Sequence, residues 1–292
     1  MITRRLAAFG LPAVAAACSP LATFEALTPR DSGGVKVASG SYGPDPRQAL
    51  DVFAPRSRPA GPIPVAVFFY GGSWKSGSRS EYEFVGQALA SAGFVTVIPD
   101  YRLFPQVPYT GFLADSAQAV RWARDNAATY GGDPRRIVLA GHSAGAYNAA
   151  MVALDRRYLR QAGVDPRVVR AFAGLSGPYD FLPLDEGTAQ EVFGNVPDKR
   201  ATQPVTYVGA SSPPAYLATG DADDTVRPKN TRSLAAKLRA AGVRVEERVF
   251  PGLDHKDTLL ALSVLFRGKA PILAEMTAFL TAEAGRTGQR AA

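Results

Sequence analysis

Arg136-Ile137-Val138-Leu139-Ala140-Gly141-His142-Ser143-Ala144-Gly145 joins an apolar, β-branched run to a G-x-S-x-G turn, and Ala146 to Leu154 continues it as a helical pattern. Between a strand and a helix, that pentapeptide is the signature of a nucleophile elbow. A turn this sharp strains the backbone of its central serine, and small neighbours at Gly141 and Gly145 leave room for it. The Ser143 hydroxyl is then presented at a strand end and at the start of a helix whose dipole favours developing negative charge.

Outward from the elbow the pattern alternates. Strand-like runs at Val65–Phe69, Phe94–Ile98, Ile137–Ala140, Val168–Leu175, Tyr216–Thr219 and Val243–Val249 are separated by helical spacings. Phe84, Ala88 and Ala92 share a face with Val85 and Leu89 ahead of Gly93; Leu113, Ala117 and Val120 precede Gly131-Gly132; Leu234, Leu238 and Ala241 precede Gly242. This alternation predicts an α/β domain with a mostly parallel central sheet and helices on both faces. The stretch from Pro178 to Pro214 is too long for a simple connection and reads as a small lid insertion. Residues 18–44, turn-rich through Pro20, Pro29, Gly33 and Gly34, read as a tether into a catalytic domain over 45–292.

Composition narrows the function classes. With 46% hydrophobic and 20% charged residues, the 292-residue chain has the material for a large core and is not a disordered polymer. One cysteine excludes a disulfide framework or a cysteine-based zinc site, and two histidines argue against an all-histidine metal site. The net charge of +7 is spread among acids, with no basic run interleaved with aromatics, so a nucleic-acid partner is not indicated.

The first residues carry a different signal. Arg4 and Arg5 precede an apolar stretch from Leu6 to Ala17, broken by Gly10 and Pro12 and too short to span a bilayer. This reads as an export signal over 1–17. Cys18, directly after Ala15-Ala16-Ala17, makes it resemble a bacterial lipoprotein signal, although Ala15 stands where such signals usually carry leucine. The expectation is an exported, periplasmic or membrane-anchored lipoprotein attached through a lipidated Cys18; cleavage at an ordinary small-residue site is the alternative.

A serine hydroxyl needs a base. His255, in the loop after the last strand, is the candidate; His142 sits beside the serine on a turn that points the two side chains apart, and reads as a packing residue. A base in turn needs an acid to fix its tautomer. The loop Gly220-Asp221-Ala222-Asp223-Asp224-Thr225-Val226 offers three carboxylates, and chemistry alone leaves the choice open. The order serine, acid, histidine is that of α/β-hydrolases. Tyr70-Gly71-Gly72-Ser73-Trp74 follows an early strand; its backbone N–H groups, with that of Ala144, would stabilise an oxyanion.

These motifs, together with Pro99-Asp100-Tyr101-Arg102-Leu103 and Tyr130-Gly131-Gly132-Asp133-Pro134, make the chain from about residue 45 onward resemble bacterial α/β-hydrolase esterases of the hormone-sensitive-lipase-like and small carboxylesterase group, related to the arylformamidases. The resemblance implies the α/β-hydrolase fold and a cofactor-free, metal-free serine hydrolase acting on a small-molecule ester, short-chain or aryl. It places the triad on Ser143, His255 and Asp223, the fourth position of G-x-x-D-x-x-V, and the oxyanion donors on Gly72, Ser73 and Ala144. Two departures stand out: Tyr70 replaces the histidine that usually opens the oxyanion loop, and Ser73 replaces its third glycine. The alternatives are an amidase such as an arylformamidase, or a non-catalytic ligand-binding protein on the same fold.

Overall fold

Along the strand Ile63–Phe69, the side chains of Val65, Val67 and Phe69 pack into one core cluster, and those of Ala66 and Phe68, with Tyr70 just beyond, into another. The same split recurs at Ile137 and Leu139 against Val138 and Ala140. Strands apolar on both faces must be covered on both faces, and that condition sets the architecture. The computed structural model describes residues 20–57 and 59–286. Its strands are β1 (Gly34–Ser41), β2 (Ala49–Pro55), β3 (Ile63–Phe69), β4 (Val95–Pro99), β5 (Gly132–His142), β6 (Val169–Leu175), β7 (Ala215–Gly220) and β8 (Val245–Phe250). They form one eight-stranded sheet in the order β1-β2-β4-β3-β5-β6-β7-β8. The β1–β2 and β2–β4 pairs are antiparallel and all others parallel. The helices are α1 (Pro20–Leu27), α2 (Glu83–Ser91), α3 (Tyr109–Asn126), α4 (Ala144–Leu154), α5 (Arg156–Gln161), α6 (Thr188–Phe193), α7 (Lys229–Ala240), α8 (Asp257–Leu260) and α9 (Ile272–Gly285). Apolar residues of α7 pack into the first cluster, with Val65, Val67 and Phe69, and those of α2 and α9 into the second, with Ala66, Phe68 and Tyr70. This is the expected α/β-hydrolase fold, with helices on both faces of a mostly parallel sheet.

The tether expected over 18–44 is corrected from residue 20 onward. Residues 20–27 form α1, where Phe24 meets Phe84 edge-on at 5.4 Å and a Glu25 carboxylate oxygen accepts the Phe84 N–H, near the start of α2, at 3.0 Å. Residues 34–41 form the edge strand β1, paired along its length with β2. The physical reason is partnership at a distance: Gly, Ser and Lys give a half-solvated edge strand little intrinsic β character, and the ladder from β2 supplies what the sequence does not. Residues 1–17 and Cys18 lie outside the described residues.

The connection from β6 to β7 carries α6 and two single-turn 3-10 helices at Lys199–Thr202 and Pro204–Tyr207. The Asn230 side-chain oxygen accepts the N–H groups of Tyr179 and Asp180 at 3.0 and 2.9 Å, and Gln203 accepts that of Phe181 at 2.8 Å. These bonds fix the segment across the carboxyl ends of the strands, the end at which open α/β sheets bind ligands.

Candidate active site

Ser143 closes β5 and opens α4 with φ 55° and ψ −125°, a conformation that a residue with a side chain adopts only under local constraint. The constraint is visible at Gly145. A Cβ there would lie 2.0 Å from the Phe69 carbonyl oxygen and 2.5 Å from that of Tyr70, so the elbow rests directly on the end of β3. The Ser143 N–H donates to the Leu175 carbonyl at 2.9 Å, tying the turn to β6 as well.

His255, supplied by the loop after β8, places Nε2 2.9 Å from Ser143 Oγ. Its Nδ1 lies 2.9 and 3.1 Å from the two carboxylate oxygens of Asp223. The three carboxylates of the acid loop separate by direction. Asp221 accepts the Gly252 N–H at 2.6 Å, Asp224 is exposed, and Asp223 is buried against His255. Burial pushes the Asp223 carboxyl up, but the His255 hydrogen bond, the Val226 N–H at 2.8 Å and the Ser176 hydroxyl outweigh it and hold the group below the ordinary aspartate value. It is therefore an anion at neutral pH, an acceptor for a His255 Nδ1–H, which leaves Nε2 to accept a proton from Ser143.

Beside the serine, Gly72, Ser73 and Trp74 all have positive φ, of 122°, 55° and 58°. At Gly72 no side chain fits, since a Cβ would sit 2.2 Å from the Ser76 carbonyl oxygen. The loop is braced through Tyr70. Its phenol, kept protonated by burial, donates to Asp100 at 3.0 Å and accepts from Arg47 at 2.7 Å. Arg79 also engages Asp100, and the Tyr101 hydroxyl donates to the Tyr70 carbonyl at 2.8 Å. The segment Pro99–Leu103 thus anchors the loop that Tyr70 opens.

A cavity of about 340 Å³ opens on Ser143, with Ser73, Trp74, Ala144, Phe181 and Val226 in its wall. The carbonyl of Gly72, whose N–H is an expected oxyanion donor, accepts from Lys75 and Ser76, both at 3.0 Å, which shapes the turn. The Ala144 N–H is the first of α4 and has no acceptor within the helix. A larger hollow of about 640 Å³ lies near Val35, Pro55, Ile63 and Tyr130, away from these groups. Among the described residues, no cluster of three His, Cys, Asp or Glu side chains is placed to hold a metal ion.

His142 does more than the packing its position suggested. It does not bond Ser143; its Nε2 meets the backbone carbonyl of His255 at 2.8 Å, and the two rings lie 4.9 Å apart. Ser176, fully buried with φ 48°, and Thr258 also belong to this neighbourhood, with their hydroxyls 2.9 Å apart. No motif marks either one.

The BD-FAE family model matches residues 50–238, more than half of the chain. The chain belongs to the BD-FAE family. The BD-FAE match holds the oxyanion loop, the elbow and Asp223, and ends before His255. A carboxylesterase of Mycobacterium tuberculosis, NlhH, is 32% identical over 237 residues, covering 74% of this chain and 71% of that protein. The isoprenylcysteine alpha-carbonyl methylesterase ICME of Arabidopsis thaliana is 30% identical over 263 residues, covering 83% of this chain and 61% of its own. Three further methylesterase-type relatives are covered over 50%, 58% and 57% of their lengths, so the chain spans little more than half of such proteins. Among solved structures, esterase 2 of Thermogutta terrifontis superposes with a TM-score of 0.71 at 25% identity, over 90% of this chain and 98% of that one.

Proposed function

We propose that this protein hydrolyses carboxylic esters of small molecules through an acyl-enzyme. The observation that carries the proposal is the continuous hydrogen-bonded line from Asp223 through His255 to Ser143 Oγ, ending at the wall of a cavity. Ser143 Oγ attacks the ester carbonyl as His255 Nε2 takes its proton, and Asp223 stabilises the imidazolium. The Gly72, Ser73 and Ala144 N–H groups receive the oxyanion. His255 returns the proton to the departing alcohol, and a water activated by the same imidazole then frees the acid. A cavity of about 340 Å³ suits a short acyl chain or a single aryl ring. The methylesterase and carboxylesterase names of the relatives support ester chemistry.

The test is covalent labelling with a serine-reactive phosphonate, located by mass spectrometry, alongside turnover of a short aryl ester and a formyl anilide. The proposal expects label on Ser143 and faster turnover of the ester. Faster cleavage of the anilide would make the protein an amidase, and absence of labelling would make it a binding protein.

The export reading is carried by sequence: the basic start, the short apolar region and Cys18 support a signal over 1–17 and a lipid-anchored mature protein. Cys18→Ser should release the protein from membranes, and a soluble wild-type chain retaining residues 1–17 would overturn it.

A further inference from the structure

The backbone carbonyl of His255 has two donors within reach, His142 Nε2 at 2.8 Å and the Thr258 hydroxyl at 3.2 Å. A carbonyl oxygen only accepts, so the proton of His142 resides on Nε2. The other nitrogen agrees: Nδ1 is buried with no hydrogen-bond partner among the described residues, and a proton there would be a donor without an acceptor. Burial, and then the neighbouring imidazole of His255, push the His142 ring down to about 3, which keeps it neutral. His255 and Asp223 are the titratable groups that face it.

The second side of the arrangement is a question of protons. The Thr258 hydroxyl lies 2.9 Å from Ser176 Oγ, and Ser176 bonds the Asp223 carboxylate. Two hydroxyls carry one proton each, yet the carboxylate, the His255 carbonyl and the hydroxyl oxygens all accept. With His142 donating to the carbonyl, Thr258 can donate to Ser176 and Ser176 to Asp223. Without it, Thr258 is drawn to the carbonyl and the bond from Thr258 to Ser176 is lost. The strained φ of Ser176 fits a residue held in place for this geometry.

We propose that His142 is a positioning residue for His255: its Nε2–H fixes the backbone of the base, and by satisfying that carbonyl it leaves Thr258 and Ser176 to orient the acid. The proposal rests on the ester-hydrolase reading for its kinetic consequence but not for its structural one. The experiment therefore has two arms on the full chain. Nitrogen-15 histidine spectra, with two imidazoles to assign, should show His142 as a neutral Nε2–H tautomer from about pH 5 to about pH 8.5. An Nδ1–H tautomer, or titration of His142 in that range, overturns the proposal whether or not the protein cleaves esters. In the kinetic arm, His142→Phe keeps a ring and removes the donor, whereas His142→Gln restores an N–H near the Nε2 position. His142→Phe should lower kcat on a short aryl ester at least ~20-fold with KM within about twofold, and His142→Gln should recover to within about fivefold of wild type. A folded His142→Phe enzyme with wild-type kcat, or a Gln variant no better than Phe, refutes it. An inactive wild type would instead count against the ester-hydrolase reading, leaving the tautomer result to decide this one.

Discussion

Acidification should weaken this fold through His142, and the amount can be worked out. Burial and the adjacent His255 hold the folded imidazole at about 3, against 6.5 for an imidazole in the unfolded chain. Between those values the unfolded state binds a proton that the native state refuses, so stability falls as pH drops through 6.5, by at most roughly 1.4 kcal/mol per pH unit. At about pH 7.5 both states are neutral and the loss is under ~0.1 kcal/mol; at about pH 5 it is about 2 kcal/mol. A folded value anywhere below about 4 changes that figure by less than ~0.1 kcal/mol, so the expectation depends on burial rather than on its fine detail. Asp223 does not enter this range. Its folded value is depressed below 3.8, so its stabilising contribution is present above 3.8 and is lost only as pH falls below it. The assay is urea unfolding of wild type and His142→Gln at both pH values, followed by circular dichroism. Wild type should lose about 2 kcal/mol more than the variant on acidification. Equal losses would mean that His142 is protonated in the native state, and the reasoning from its burial would fail.

Asp223→Asn should lower kcat/KM by roughly three to four orders of magnitude, because an amide can present the wrong partner to His255 Nδ1, while Asp221→Asn and Asp224→Asn stay within about tenfold; steady-state kinetics on an aryl ester decides. Gly145→Ala forces a Cβ to within 2.0 Å of the Phe69 carbonyl oxygen, a backbone atom that cannot swing away. It should cost about 3 kcal/mol or more of stability, and a variant unfolding at the wild-type urea concentration would contradict the close approach. Tyr70→Phe removes the bond to Asp100 and the one from Arg47. It should destabilise by about 1.5–3 kcal/mol and lower kcat through a looser oxyanion loop, measured by chemical denaturation and by turnover.

Much of this architecture is legible in the sequence because its signals are local. Most of the parallel strands are short apolar runs, β8 with Glu246, Glu247 and Arg248 excepted, the longer helices have periodic faces, and the elbow is contiguous. β1 is different. Its burial alternates and its residues are Gly, Ser and Lys as well as Val, so nothing short of its pairing with β2 identifies it. The acid loop marks a second boundary. Asp221, Asp223 and Asp224 are chemically equal in the sequence, and the backbone distinguishes them by directing one to Gly252, one to His255 and one to solvent.

The same boundary explains Tyr70 and His142. Tyr70 departs from the family's usual histidine, and the consequence cannot be read from position 70, because the brace is built from Arg47, Asp100 and Tyr101 in two other segments. The buried carboxylate of Asp100 accepts the phenol and the Arg79 N–H, so the tyrosine adds a hydroxyl without leaving it unsatisfied. His142 depends on a backbone carbonyl at residue 255, and a carbonyl has no sequence identity. A site built this way constrains substitution by geometry as much as by side-chain type. Position 142 needs a neutral donor that reaches the His255 carbonyl, and position 70 needs a phenol that reaches Asp100.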